Sequence, residues 1–306
     1  MLIKMNNDTF KAVEMDLLSD DRCEKLISFL DEKKLESPTL REIKRHFSEE
    51  SLEDSFIDDL VGIGLIKRHH GKYQLGFPIV TGEQQQQTFE QVTHLLDSQI
   101  KEVRQLVNKL DISTFDFIYH LFLDEISNQI VLYEDTELAK RLLSYPTRIT
   151  KVEGKRTTYV SLGTYVPYYS HNISDYFNYL TRNQSDLPEQ FIQLRDRLGD
   201  INPEYFMNYC DRKLRRMEKG KLIPVNKPDL FLEALCDMEY CKISEEFYQF
   251  NIEKLESSLI STWLNEIKGK LNCENKELSL FQSLSVLDWF LENNIIEKLQ
   301  THHGML

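Results

Sequence analysis

The sequence predicts a mainly α-helical protein: an N-terminal module of helices and a hairpin, followed by a larger helical body that carries one small β-hairpin. Three observations carry this reading. The 306 residues are 41% hydrophobic and 28% charged, which suits two or three ordinary domains that bury their own cores without staples. Apolar residues recur at three- and four-residue steps through most of the chain, the period of amphipathic helices. Extended character is confined to short runs around turns, near residues 65–75 and 148–160.

At the N-terminus, Asp21 and Glu24 have the spacing of a capping box. Cys23, Leu26, Ile27 and Leu30 then recur at i, i+3, i+4 and i+7, one apolar stripe of a helix. Glu36-Ser37-Pro38 ends it. Thr39 and Glu42 repeat the capping-box spacing before the stripe Leu40, Ile43 and Phe47. After Ser48-Glu49-Glu50, Ser51 and Asp54 open a third helix with Leu52, Phe56, Ile57, Leu60 and Val61 inward, and Gly62 and Gly64 close it. Leu65 to Leu75 folds about a His-Gly turn into a hairpin. The passage Leu60-Val61-Gly62-Ile63-Gly64-Leu65-Ile66-Lys67-Arg68, with the Gly71-Lys72-Tyr73 hairpin, resembles the winged helix-turn-helix superfamily over residues 19–79. The resemblance implies a fold and a binding role toward DNA, RNA or protein, without choosing among them.

Charge bears on that choice. In DNA-reading members the third helix enters the major groove. Here residues 48–61 carry Glu49, Glu50, Glu53, Asp54, Asp58 and Asp59 and no lysine or arginine. Carboxylates facing phosphates repel them and lose solvation on docking. Cations sit elsewhere, with Arg41, Lys44 and Arg45 on the second helix, and Lys67, Arg68 and Lys72 on the wing beside His69-His70. Those positions suit phosphate contact without base reading. The whole chain has a formal charge of −13, so no net field draws it to nucleic acid or an anionic membrane.

Residues 81–88, with four glutamines in a row, read as a linker or helix lead-in. From residue 89 to 110, Phe89, Val92, Leu96, Val103, Leu106 and Leu110 form a stripe with Gln99 as a polar seam position. Either a core helix or a homodimer seam fits it, and Leu95, Ile100 and Val107 widen it toward the core helix. Helices are expected at Phe115–Ile126 and Thr136–Leu143. A basic hairpin follows at residues 148–160 with Arg148, Lys151, Lys155 and Arg156; with its preceding helices it admits a second, degenerate winged helix. Tyr159, Tyr165, Tyr168, Tyr169, Tyr176 and Tyr179 follow the basic residues. Stacking on single-stranded nucleic acid and half-buried packing both fit such tyrosines.

Pro188 and Pro203 start two helices. The second ends in the densest positive run, Arg212, Lys213, Arg215, Arg216, Lys219 and Lys221, which serves either a partner or the helix dipole. Further helices are expected at Leu230–Tyr240, Ser244–Lys268 and Ser279–Gln300, with Trp263 and Trp289 on buried faces. No internal repeat of fixed period is evident. The expected partition is 1–80, a linker at 81–88, 89–180 and 181–306.

The N-terminus lacks a signal peptide's pattern and no apolar stretch reaches membrane length. The five cysteines, Cys23, Cys210, Cys236, Cys241 and Cys273, are odd in number and lack a Cys-x-x-Cys, which points to reduced thiols in the cytoplasm and to no metal site. No phosphate cradle, zincin or nucleophile-elbow motif occurs, and the acidic pairs Asp124-Glu125 and Glu134-Asp135 diverge as neighbours do on a helix. The sequence reading is therefore a non-enzymatic, cofactor-free interaction or adaptor subunit of a nucleic-acid-associated assembly. Its alternative is a sequence-specific DNA-binding transcription regulator with a helical dimerisation or sensor domain.

Overall fold

The computed structural model describes residues 2–5, 17, 20–48, 52–110, 112–123, 130–164, 172–180, 189–255, 260–271 and 276–306. Among these, the buried apolar side chains gather into three cores.

The first core belongs to α1 (Asp21–Glu32), α2 (Leu40–His46), α3 (Asp54–Gly62) and the hairpin β2 (Ile66–His69) and β3 (Lys72–Leu75). The stripe Cys23, Leu26, Ile27 and Leu30 is buried, as are Ile43, Phe56, Ile57 and Leu60. The cap of α1 is Asp20 rather than Asp21; its carboxylate accepts from the Arg22 N–H at 2.8 Å. The Thr39–Glu42 capping box forms as expected. Thr39 also bridges antiparallel to Lys72, so the backbone before α2 adds a third strand position to the hairpin. His70 and Gly71 turn the hairpin at φ +49° and +76°, a conformation that glycine adopts at little cost.

The second core is built on α13 (Lys276–Glu292). Every residue from Phe281 to Phe290 is buried. The stretch holds six apolar residues along with Gln282, Ser283, Ser285 and Asp288, and the helix is covered on every side there. Its covers include α4 (Gly82–Ser98), α6 (Thr114–Phe122) and α7 (Glu137–Leu143), and α5 (Ile100–Leu110) and α12 (Ile260–Leu271) join the same core. Strands β1 (Leu2–Met5), β5 (Ile130–Tyr133) and β4 (Ile79–Val80) form one sheet. Leu132 of β5 packs into the first core, which seats the N-terminal unit against this body.

The third core joins α8 (Ile173–Leu180), α9 (Glu189–Leu198), α10 (Pro203–Glu218) and α11 (Leu230–Asp237) to two sheets. One has the order β8 (Ile223–Pro224), β10 (Phe247–Phe250), β9 (Cys241–Ser244). The other has the order β11 (Glu253–Lys254), β12 (His303–Met305), β7 (Thr158–Gly163), β6 (Arg148–Glu153).

Several expectations are corrected. The protein is mixed α/β rather than mainly α with one small hairpin: 56% of the described residues are helical and 17% lie in strands, arranged in sheets of two to four strands. Residues 82–88 are the opening turns of α4, with Gln85 fully buried and bonded to the Val80 and Glu134 carbonyls. The stripe offered for self-association breaks at Gln99, and Val92, Leu96, Val103 and Val107 are buried within this chain. The basic hairpin is two strands of a four-stranded sheet. The helix expected at Ser244–Lys268 is replaced up to Lys254 by strands. Helices α12 and α13 pack in the second core, while β12 joins the sheet of the third.

A repeat is present after all. Residues 54–77 and 229–252 follow the same path: helix, tight turn, hairpin. At one constant offset Phe56 matches Phe231, Leu60 Leu235, Lys67 Lys242, Tyr73 Tyr248 and Gln74 Gln249. The three positive-φ residues Gly64, His70 and Gly71 match Glu239, Glu245 and Glu246. The closing bond from Gly76 N–H to Leu65 O (2.8 Å) matches that from Asn251 N–H to Tyr240 O (3.2 Å). Lys72 pairs with Thr39, and its counterpart Phe247 pairs with Pro224. Each copy then leaves in a two-residue strand running parallel to its neighbour. The second copy lacks a counterpart of α2: only residues 225–228 separate β8 from the Asp229 cap of α11. The second helix-and-hairpin unit thus lies here and not at residues 148–160.

Candidate functional site

The third helix of the first unit and the hairpin β2–β3 form the candidate interaction face. Apolar residues Phe56, Ile57 and Leu60 turn α3 inward, which leaves Asp54, Ser55, Asp58 and Asp59 exposed beside Glu53. Two of the expected phosphate-gripping cations point back at this face. The Lys44 ammonium lies 2.5 Å from the Asp54 carboxylate, and Arg68 lies 3.9 Å from Asp58. The local field of α3 is therefore negative where a groove reader needs it positive, and its nearest cations are partly neutralised by it.

Arg41 and Lys67 are exposed. Arg45 and Lys72 come together at an open groove of about 650 Å³ with Pro38, Thr39, Glu42 and His46. Lys72 also donates to the Glu36 carbonyl at 3.2 Å. The Glu42 carboxyl is held below its usual range by the Thr39 backbone N–H and then by the Thr39 hydroxyl, so this groove carries both signs of charge. His69 and His70 are exposed at the tip of the β2–β3 hairpin with rings 4.1 Å apart.

The other candidate residues divide sharply. Arg148 is not a surface cation: it is 2% exposed, and its guanidinium donates to the buried Asp175 carboxylate at 2.6 Å and to Thr150 at 3.2 Å. Lys155 and Arg156 stand exposed at the hairpin tip, while Lys151 is exposed with its ammonium 5.7 Å from the Tyr119 ring centre. In the α10 run, Lys213 binds Asp229 at 2.9 Å and Arg215 binds Asp211 at 3.0 Å. Arg212 lies 5.2 Å from the Tyr209 ring centre, and Arg212 and Arg216 are exposed. The densest positive run in the sequence is thus partly structural ties.

The two tyrosines whose side chains are described, Tyr159 and Tyr176, offer no stacking platform. Tyr159 is fully buried, its hydroxyl donating to Asp211 at 2.9 Å. Tyr176 is fully buried among aromatic rings. Tyr165, Tyr168 and Tyr169 lie outside the described residues, as does the Tyr179 side chain.

One polar network was not foreseen. Nε2 of His303 donates to the Met238 carbonyl at 2.7 Å, and Nδ1 hydrogen-bonds the Ser161 hydroxyl at 3.0 Å. The hydroxyls of Ser161 and Tyr240 share a hydrogen bond at 3.0 Å, and the Tyr240 ring stacks on His303 at 3.9 Å. Ser161 and His303 are each 1% exposed, so this Ser–His pair is sealed from substrate and ties β12 to the second helix-and-hairpin unit. Nothing in the sequence signals it, because its members come from three distant segments, around residues 161, 238–240 and 303. No group of three or more metal-ligating side chains occurs among the described residues, and no described helix is long and apolar enough to cross a membrane.

Fold and face together define a mixed α/β chain with two like helix-and-hairpin units, the first bearing an acidic outward helix. Residues 3–110, which hold the first unit and helices α4 and α5, match the family model of a domain of unknown function, DUF1803. No curated protein and no solved structure matches the chain.

Proposed function

We propose that the chain is a non-enzymatic interaction subunit of a nucleic-acid-associated assembly, with residues 20–77 acting as a winged helix that meets a protein rather than a DNA groove. The observation that carries this reading is the outward face of α3, where Asp54, Asp58 and Asp59 are exposed and two nearby cations are drawn into ion pairs. An acidic, solvated helix suits a partner that brings arginine or lysine, and charge complementarity of that kind sets specificity and encounter rate. The bridge from Thr39 to the wing and the positive-φ turn at His70-Gly71 support the winged-helix assignment. The link to nucleic acid is an analogy from how such modules are used, supported by the exposed cations Lys155 and Arg156 on the hairpin tip.

The test is affinity purification from the native host with nuclease present, comparing the wild-type chain with Asp54→Lys/Asp58→Lys/Asp59→Lys. A protein partner retained by the first and lost by the second supports the reading. A partner set that disappears with nuclease alone and ignores the substitutions overturns it.

A further inference from the structure

We propose that Cys236 and Cys241 form a reversible disulfide when the protein meets hydrogen peroxide, which makes this pair a redox modification site that bolts α11 to β9. Cys236 lies in the last turn of α11 and Cys241 is the first residue of β9, across the turn through Glu239. Their sulfurs are 2.8 Å apart. A disulfide bond is about 2.05 Å long, so closure needs the sulfurs to approach by less than about 1 Å.

The placement follows from the architecture. In the first unit the matching positions hold Val61 and Ile66, and Ile66 is buried as Cys241 is. The fold sets these two positions together in each copy, and only the second copy puts thiols at both. Cys236 is partly exposed while Cys241 is 2% exposed. That asymmetry assigns the order of events: Cys236 meets the oxidant and Cys241 resolves it. The Cys241 thiol is pushed far above its usual range by its bond to Cys236 and by burial, which keeps it protonated until the second step. Cys23 and Cys210 are fully buried, and burial pushes the Cys23 thiol up to about 12, so neither competes as a reactive thiolate.

The chemistry balances. The Cys236 thiolate attacks one peroxide oxygen; an S–O bond forms, the O–O bond breaks, and water leaves after protonation. The Cys241 sulfur then attacks the sulfenic sulfur of Cys236; the S–S bond forms, the S–O bond breaks, and a second water leaves with the Cys241 proton. Two thiols and one peroxide give one disulfide and two waters, the sulfurs losing the two electrons the peroxide gains. The product fixes the turn whose next residue, Tyr240, stacks on His303 and bonds Ser161. Oxidation therefore stiffens the seat of the C-terminal strand β12.

The experiment exposes the folded, full-length protein to hydrogen peroxide, blocks remaining thiols with iodoacetamide and maps peptides by mass spectrometry. The expected product is a Cys236–Cys241 link within one chain, lighter by two hydrogens and reversed by dithiothreitol. Cys236→Ser abolishes it, and Cys241→Ser leaves Cys236 as a sulfenic acid trapped by dimedone. The variant Cys236→Val/Cys241→Ile places the first unit's residues at these positions and serves as a folded, peroxide-insensitive control. Sulfinic acid at Cys236 with a free Cys241 thiol, a link between chains, or two thiols still fully alkylated after peroxide would each overturn the assignment.

Discussion

Arg148 separates a binding surface from a structural element by magnitude. The sequence places it among cations that contact a partner, whereas the structure buries it at 2% exposure against Asp175 at 5%, with 2.6 Å between guanidinium and carboxylate. Arg148→Ala removes the counter-charge and leaves Asp175 desolvated and unpaired, which costs about 3–5 kcal/mol. An exposed cation away from such features costs within about 0.5 kcal/mol when truncated. Arg156→Ala, at the exposed tip of the same hairpin, is the matched control. At roughly 2–4 °C per kcal/mol for a large domain, Arg148→Ala lowers Tm by about 10 °C while Arg156→Ala leaves it within a degree or two. The assay is thermal unfolding followed by circular dichroism, with urea unfolding as a second measure. Arg148→Met/Asp175→Asn recovers more than half of the loss, because the pair is removed together rather than broken. Equal Tm values for Arg148→Ala and Arg156→Ala would refute the reasoning.

Three further outcomes follow from local geometry. Glu246 sits at φ +66° where the first unit has Gly71 at +76°; Glu246→Gly raises stability by about 1 kcal/mol by removing a left-handed non-glycine residue, and a lower urea midpoint would count against this. Asp229 is subject to burial, which raises its pKa, but hydrogen bonds from Tyr209, Lys213 and the Leu232 N–H outweigh that and hold it below the usual value. A depressed folded pKa stabilises above the unfolded pKa near 3.9 and loses that contribution as pH falls through the folded value. Asp229→Asn therefore costs about 1 kcal/mol at neutral pH, and the gap in urea midpoint narrows as pH falls below the unfolded value near 3.9; a gap that widens in acid contradicts the sign. Trp289 is 3% exposed on α13, its indole N–H bonded to Asp97 at 2.8 Å; Trp289→Ala costs about 3–5 kcal/mol in urea unfolding, and a loss under about 1 kcal/mol would show that α13 is not the centre of the body.

What was legible in the sequence is what is local. The stripes of α1, α2 and α3, the Thr39–Glu42 box and the His70-Gly71 hairpin all rest on contacts within a few residues, and they fold as read. The second copy was missed although it shares the same path, because its turn is Glu245-Glu246 and its bend is Glu239, where turn rules look for glycine or asparagine. The helix expected at Ser279–Gln300 is present as α13, with Trp289 buried as expected, but it ends at Glu292 and is buried on every side from Phe281 to Phe290. Sheets were undercounted because β12 pairs with β7 and β1 with β5 across long stretches of chain, with three- and four-residue strands too short to declare themselves. Among the candidate residues, exposure follows no local signal: Arg148 and Lys151 are neighbours on one strand, yet one is sealed and the other exposed, since alternate residues face opposite sides and the inner side is set by α8.

The most direct test of the account is fluorescence anisotropy of a labelled random-sequence duplex DNA titrated with wild-type protein, at about 50 and 200 mM salt, where counterion release makes any phosphate grip visible. The carboxylate face of α3 predicts no saturable binding at either salt and no change with Lys67→Glu/Arg68→Glu. Tight binding at low salt that falls steeply at high salt and is lost in that hairpin variant would contradict it.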